Sequence, residues 1–490
     1  MLRSLVLLLA AAIALPAADY KLDLTPELRQ LLDRISADSL KGNLSFLSSD
    51  LLEGRATPSR GLDIAAEFIA SQFRRAGLEP GGNDGYFQVA QYRHTSIVNT
   101  GIDVKLTIGD KTFQASEASA LAPQSMNASG LTVVKAEADL SKMKPEDVAG
   151  TALVVSGGPR GMLQALGQIG RLKPAVVVIA DASAARFLSR LQLQEANTPG
   201  GPPIVVVQNT YLNTAMRDLA AGSAAKLDVA VGASMVTPTP LRNVVAILRG
   251  SDPVLRETAL VVSAHYDHIG MLPPGDGDRI NNGANDDGSG VVSVIEVAST
   301  LAKLPTRPRR SIVFVTFFGE ELGGYGSRWF GGHPPFPAAK IAGHINLEQL
   351  GRTDGSDGPH VNDASITGFD YSDLTSAFVN AGALTGIKVY KDPVNSDAYF
   401  SRSDNQSLAN IGVPAHTMGV TFAFPDYHRP GDHWEKIDYD NLARIDRMVA
   451  LGVLALAQSA DAPKWNADNP KTKNYVDAAK KLAEQKPDPK

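Results

Sequence analysis

The chain has 490 residues, more than one hydrophobic core ordinarily serves, so two or three domains are expected. Its 52 acidic and 47 basic residues give a formal net charge of -5, with no basic excess to neutralise phosphates, which argues against a nucleic-acid partner. Cysteine is absent, so disulfides, thiol nucleophiles and thiolate metal sites are excluded, and any metal site must be built from histidine and carboxylates.

The N-terminus reads as Arg3, an apolar run from Leu5 to Leu15, then Pro16, Ala17 and Ala18. A charged start, a short apolar stretch and small residues predict a signal peptide over 1–18, cut near Ala17 or Ala18. The run is well short of the ~20 residues that span a bilayer. The expectation is an exported protein, periplasmic or secreted, with no membrane contact once the segment is removed.

Residues 19–115 read as the first part of a main domain. Ile64, Phe68, Ile69, Phe73 and Leu78 fall near helical spacing, and Gly77 offers a stop. From 116 to 236 the texture changes to short β-rich runs, Ala152 to Val155, Ala175 to Ile179 and Ile204 to Val207, separated by Gly- and Pro-containing turns and helical pieces. That pattern predicts a smaller inserted α/β module, left through a linker at Thr237-Pro238-Thr239-Pro240.

Over 237–460 the pattern is strand, loop, helix, strand: Asn243 to Leu248, Ala259 to Ala264, a helix from about Ser289 to Leu304, then Ser311 to Phe318. Such alternation predicts an α/β fold with a mostly parallel, mixed central sheet flanked by helices, and ligands at the carboxyl ends of its strands. Residues 461–490 read as a C-terminal tail, a loosely attached helix followed by a disordered end.

Polar residues with the chemistry to bind a cation sit at those strand ends. His265-Tyr266-Asp267 follows the run Leu260 to Ser263; one ring nitrogen of such a histidine can bind metal while a carboxylate holds the other. His268 is close by, with no independent reason to choose it. Asn281 to Gly290 precedes the helix and carries Asp286 and Asp287 among glycines; capping accounts for one carboxylate and leaves the other. Asp286 is placed to bridge two cations and Asp287 to support it.

Gly319-Glu320-Glu321 follows the apolar strand, and adjacent glutamates there are costly to desolvate unless a cation or partner accepts them. A division of labour explains the pair: Glu321 binds metal and Glu320 stays free as a base. Glu348 ends His344-Ile345-Asn346-Leu347-Glu348, and His428 follows Tyr427 in the loop Phe424 to Asp432. Taken singly, each of these is ordinary surface or loop chemistry.

In this order, the five signals resemble the family of two-zinc aminopeptidases that includes secreted bacterial leucyl aminopeptidases and the cell-surface glutamate carboxypeptidase. Leu51-Leu52-Glu53-Gly54-Arg55 and the helix to Gly77 resemble that family's N-terminal region. Residues 116–236 look like the protease-associated domain that many members carry as an insertion.

The resemblance implies a zinc-dependent exopeptidase acting on peptides, with two Zn2+ ions. His265 and Glu348 would bind one ion, Glu321 and His428 the other, and Asp286 would bridge them. Glu320 would be the general base, Asp267 the orienting carboxylate and Tyr427 the oxyanion donor. Two positions depart from the family: Glu348 stands where aspartate is usual, and Asn405 where relatives often have histidine, the latter expected to affect substrate fit at most. Carboxypeptidase action, glutaminyl-peptide cyclisation and a non-catalytic, receptor-like binding role are the rival expectations on the same scaffold.

Overall fold

The computed structural model describes residues 20, 22–136, 140–220 and 222–484, so the expected signal segment lies outside the described residues. The chain divides into two compact units, one formed by Met1–Val89 with Arg242–Lys490, the other by Ala90–Leu241.

The first unit is built on strands β1 (Val236–Leu248, of which 242–248 belong here), β2 (Ala259–His265), β3 (Ser311–Phe317), β4 (Ile341–Leu347), β5 (Asp363–Ile366), β6 (Lys388–Tyr390) and β7 (Ala415–Gly419). They lie in the order β6-β5-β7-β4-β2-β3-β1. The pairs β2–β3, β2–β4, β4–β7 and β5–β6 are parallel, while β1–β3 and β5–β7 are antiparallel, so the sheet is mixed and mostly parallel. Every residue of β2, β3 and β4 is buried. Val, Ile and Phe therefore fill both faces of these strands, as in sheets covered on both sides.

Helices α1 (Ala37–Leu47), α2 (Arg60–Ala76), α3 (Gly290–Leu301), α4 (Thr375–Thr385) and α5 (Tyr439–Gln458) supply the cover. Helix α2 shows the local logic. Ser59 caps its start by accepting from Leu62 N at 3.0 Å, and Gly77 closes it in the left-handed conformation. Leu62, Ala65, Ala66, Ile69, Ala70 and Phe73 form its buried stripe. Helix α3 is buried nearly all round, packed by α1, α2 and α5 as well as by the sheet. Among the described residues no helix is long and apolar enough to cross a membrane.

Two readings of the sequence are corrected. Thr237 to Pro240 is the first stretch of β1 rather than a linker; these residues are largely exposed, where proline is tolerated because no interior ladder bond is lost. The tail is not loose either. Helix α6 (Lys473–Glu484) lays Tyr475, Val476, Ala479 and Leu482 on a core that includes Phe400 and Trp465. Trp465 stacks on Tyr475 at 5.0 Å and donates Nε1 to Gly412 O at 2.8 Å. Residues 485–490 lie outside the described residues.

The second unit carries an eight-stranded sheet in the order Lys111–Ala115, Asp103–Ile108, Ala225–Val231, Met126–Lys135, Ala152–Val155, Val176–Ile179, Ile204–Val207, Ala118–Leu121. It begins at Ala90 rather than at 116 because Asp103–Ile108 pairs along Ala225–Val231, and Lys111–Ala115 pairs on Asp103–Ile108. Two apolar clusters, one on Leu106, Val154, Val178 and Leu227, the other on Leu153, Ile169, Val177 and Leu188, make it a unit with its own core.

Candidate metal centre

Parallel register decides which side chains meet. His265 pairs with Phe317 across β2 and β3, and Ser263 with Asn346 across β2 and β4. The residues that follow β2, β3 and β4 therefore emerge at one edge of the sheet, at its carboxyl ends, where open α/β sheets bind ligands. Asp286 arrives from the tight turn Ala284–Ser289 that leads into α3. His428 comes from a loop and holds a left-handed backbone, φ 55°. Gly319, φ 69°, turns the chain at the end of β3 so that the glutamates follow at once.

The predicted side chains converge. His265 Nε2 is 3.3 Å from Asp286 Oδ1, and Glu348 offers a carboxylate oxygen within 4.8 Å of both. On the other side of Asp286, His428 Nε2 lies 3.1 Å from its Oδ2 and 3.3 Å from Glu321 Oε2. His268, which sequence reasoning passed over, is there too: its Nδ1 is 2.8 Å from Glu321 Oε1 and 4.0 Å from Asp286 Oδ2. Its ring meets His428 edge-on at 5.5 Å. The faint sequence signal for it was a second imidazole three residues after His265, with Asp267 between them. Two donor groups result, His265–Asp286–Glu348 and His268–Asp286–Glu321, sharing one carboxylate.

These donors fit cations better than they fit one another. His265 Nε2, His268 Nδ1 and Nε2, Asp286 Oδ2 and Glu321 Oε1 are all buried and make no well-formed hydrogen bond beyond the imidazole–carboxylate approaches just given, a state that costs free energy unless something accepts their lone pairs. A four-coordinate ion with ~2.0–2.2 Å bonds sets its donors roughly 3.3–3.6 Å apart, close to the spacings here. The set holds only imidazole nitrogen and carboxylate oxygen, which suits a borderline divalent ion.

Electrostatics point the same way. Burial pushes the Glu348 carboxyl up to about 7, against the pull of His265. Burial also drives Glu320 well above the usual carboxylate range; His265 opposes the shift while Glu348 and Asp404 reinforce it. Asp286 and Glu321 go down despite burial, because imidazoles hold them ionised: His265 and His428 for Asp286, and His268 and His428 for Glu321, which falls to about 2. Asp404, buried within electrostatic reach of His265 and Asp267, is lifted to about 6 by burial and is a second residue that sequence reasoning missed.

Supporting groups fix the geometry. Asp267 lies 3.6 Å from His265 Nδ1 and accepts from Glu320 N and Thr57 Oγ1, each at 3.1 Å. Asp287 binds backbone, accepting from Gly290 N and Gln349 N at 3.1 Å and from His265 N at 3.3 Å. Asp432 accepts from Asn285 N at 2.9 Å and Asp286 N at 3.1 Å. Arg55, wholly buried, donates to the carbonyls of Leu47, Tyr266, Asn282 and Gly283 at 2.5 to 2.9 Å, so one guanidinium ties α1 to the two loops that carry His268 and Asp286.

Tyr427 stacks on His428 at 4.0 Å, and burial with the nearby carboxylates Asp286 and Glu321 holds its hydroxyl protonated. Asn405 donates to Phe400 O at 3.0 Å and Ala415 O at 3.4 Å, so its hydrogen bonds serve the framework around β7.

Residues 243–453 match the family described as Peptidase family M28. A probable zinc metalloprotease of Pyricularia oryzae is 29% identical over 295 residues, which are 50% of this chain and 57% of that protein. An aminopeptidase of Bacillus subtilis is 26% identical over 221 residues, 41% of this chain and 42% of that one. The chain thus spans about half the length of these relatives. Among solved structures, an aminopeptidase from Aneurinibacillus sp. strain AM-1 superposes with a TM-score of 0.55 at 19% identity, over 90% of this chain and 98% of that one, a likeness of fold.

Proposed function

We propose that the chain, whose residues 243–453 match Peptidase family M28, is a zinc-dependent exopeptidase removing N-terminal residues from peptides. The observation that carries this reading is the pair of donor groups meeting on the shared carboxylate of Asp286. His265 and Glu348 would hold one zinc ion, Glu321 and His428 the other, with Asp286 between them. His268, close to Glu321, is a further donor for the second ion. Glutamate in place of aspartate at 348 still supplies oxygen, and its buried carboxyl loses its proton readily once a cation stands beside it.

Zinc bound there would supply Lewis acidity, acidifying solvent and polarising the scissile carbonyl. Glu320 takes the proton of the attacking water and passes it to the leaving amine; its raised basicity equips it for the first transfer and makes the second easy. Asp267 keeps that base in place through the Glu320 amide and steadies the His265 ring. Tyr427, protonated and beside His428, donates to the developing oxyanion. Residues 90–241 would be a protease-associated insertion, and export by the N-terminal segment would bring the enzyme to extracytoplasmic peptides.

Digestion of the tetrapeptide Leu-Gly-Phe-Ala by zinc-loaded protein, followed by mass spectrometry, tests the reaction. Loss of leucine from the N-terminus is expected. Loss of alanine from the other end, or ring closure of an N-terminal glutamine peptide without chain cleavage, overturns the aminopeptidase reading.

A further inference from the structure

Between His268 and Asp286 the chain leaves the metal centre and returns to it, and the intervening residues form a tab with an apolar edge. Ile269, Met271 and Leu272 are 37%, 49% and 42% exposed. All of residues 271–278 face solvent. Scattered exposed apolar side chains need no explanation, but three within four residues on a segment that joins two candidate metal donors make a patch.

The tab is pinned at its stem and clamped toward its tip. Gly270 N donates to Gly54 O at 3.1 Å, and Gly270 O accepts from Asn281 N at 3.0 Å and Asn281 Nδ2 at 2.8 Å. Leu272 N donates to Arg279 O at 2.8 Å, while the Arg279 guanidinium returns to Leu272 O at 2.9 Å and Pro273 O at 3.0 Å. Asp278 meets His433 at 3.2 Å, which joins the tab to the loop that carries His428. At Gly54 a Cβ would sit 2.5 Å from Asn281 O and 2.8 Å from Gly270 O, so the stem lies backbone against backbone next to Arg55. An apolar surface held this way binds a flexible chain without first having to order itself.

We propose that the tab is a docking surface for the part of a peptide substrate beyond the cleaved bond, with Met271 and Leu272 receiving its apolar side chains. The inference rests on the exopeptidase reading above. What commits it to the substrate is continuity with the proposed site: both ends of the tab are candidate metal donors, and its tip is tied to the loop of a third. The enzyme would then favour peptides of three or more residues with apolar side chains downstream over single-residue amides.

The test compares leucinamide with Leu-Gly-Phe-Leu on the zinc-loaded full chain and on its Met271→Ser, Leu272→Ser double variant. Both positions are exposed and outside the metal centre, so leucinamide turnover serves as the internal control. The double variant is expected to lose about tenfold in kcat/KM on the tetrapeptide through KM, and to stay within about twofold on leucinamide. Equal losses on both substrates would make the tab a support for the metal centre, and unchanged kinetics on both would make it bare surface; either result overturns the proposal. Failure of the unaltered chain to cleave any substrate would instead bring down the exopeptidase reading, and this inference with it.

Discussion

Both units of the molecule contain buried parallel strands, yet they spend the polar residues at the strand ends differently. In the second unit, Val176–Ile179 is followed by Asp181, whose Oδ1 accepts from Ser183 N at 2.9 Å, and Ile204–Val207 by Asn209, whose Oδ1 accepts from Leu212 N at 3.0 Å. These side chains complete the starts of helices, and each has a partner a few residues away. In the main unit, the ends of β2, β3 and β4 bring His265, Glu320, Glu321 and Glu348 together, and His265 Nε2 and Glu321 Oε1 lie buried without a well-formed hydrogen bond. The difference teaches that strand-end polarity alone is not a site. A site is marked by buried polar atoms whose natural partners are missing from their own neighbourhood.

The contrast breaks most sharply at Glu320. Replacing it with Gln removes the base and keeps the ligands, so kcat on an N-terminal leucine peptide is expected to fall by about 10³-fold or more, while zinc content measured by atomic emission is unchanged. Loss of zinc together with activity would place Glu320 among the ligands instead.

Arg55 comes next, because its guanidinium holds together the backbone of the loops that carry the candidate metal donors. Arg55→Met would leave the carbonyls of Leu47, Tyr266, Asn282 and Gly283 buried without their donor. A loss of about 3 kcal/mol or more in unfolding free energy is expected by denaturant titration. A variant as stable as the parent would show that solvent reaches these carbonyls.

Asp446 tests how a buried acid behaves away from the centre. It sits within α5, and burial raises its carboxyl well above the ordinary aspartate value. For an acid whose folded pKa is raised, the stabilising contribution is complete below the unfolded value of about 3.9 and is lost as pH climbs toward the folded pKa. Asp446→Asn should therefore gain in Tm relative to the parent between about pH 4 and pH 8, by a few degrees at the upper end. A gap that does not change with pH would contradict this assignment.

The smallest effect belongs to the second unit. Asp181→Ala removes one cap and should cost about 1 kcal/mol with kcat untouched. An altered kcat would mean that the strand ends of this unit serve the reaction as well.

Much of the main sheet was legible in the sequence because its cues are local. Runs such as Ala259 to Ala264 and Ser311 to Phe318 are apolar, of strand length, and lead within three residues to a carboxylate, and the observed strands end within a residue of those bounds. The meeting of His265, Asp286, Glu321, Glu348 and His428 followed from a resemblance in motif order, since no periodicity brings residues so far apart in the chain together. His268 stayed hidden because its selection depends on Glu321, which arrives on a neighbouring strand.

Long-range pairing also explains the other differences. The alternating runs Asp103–Ile108 and Lys111–Ala115 look like ordinary surface strands until Ala225–Val231 pairs with the first of them. The Lys-rich tail reads as solvated until Tyr475 and Trp465 are seen to pack with Phe400. The apolar tab edge at Met271 and Leu272 gave no pattern at all, since two apolar residues before a Pro-Gly turn are compatible with any loop.

The central claim is that one carboxylate, Asp286, joins two cation sites. Crystals grown with zinc and measured at energies on either side of the zinc absorption edge test it directly. The account predicts two anomalous peaks ~3.5–4 Å apart, flanking the Asp286 carboxylate, one beside His265 and Glu348 and the other beside Glu321. A peak pattern that leaves Asp286 uncoordinated, or no peak within reach of these residues, would contradict it.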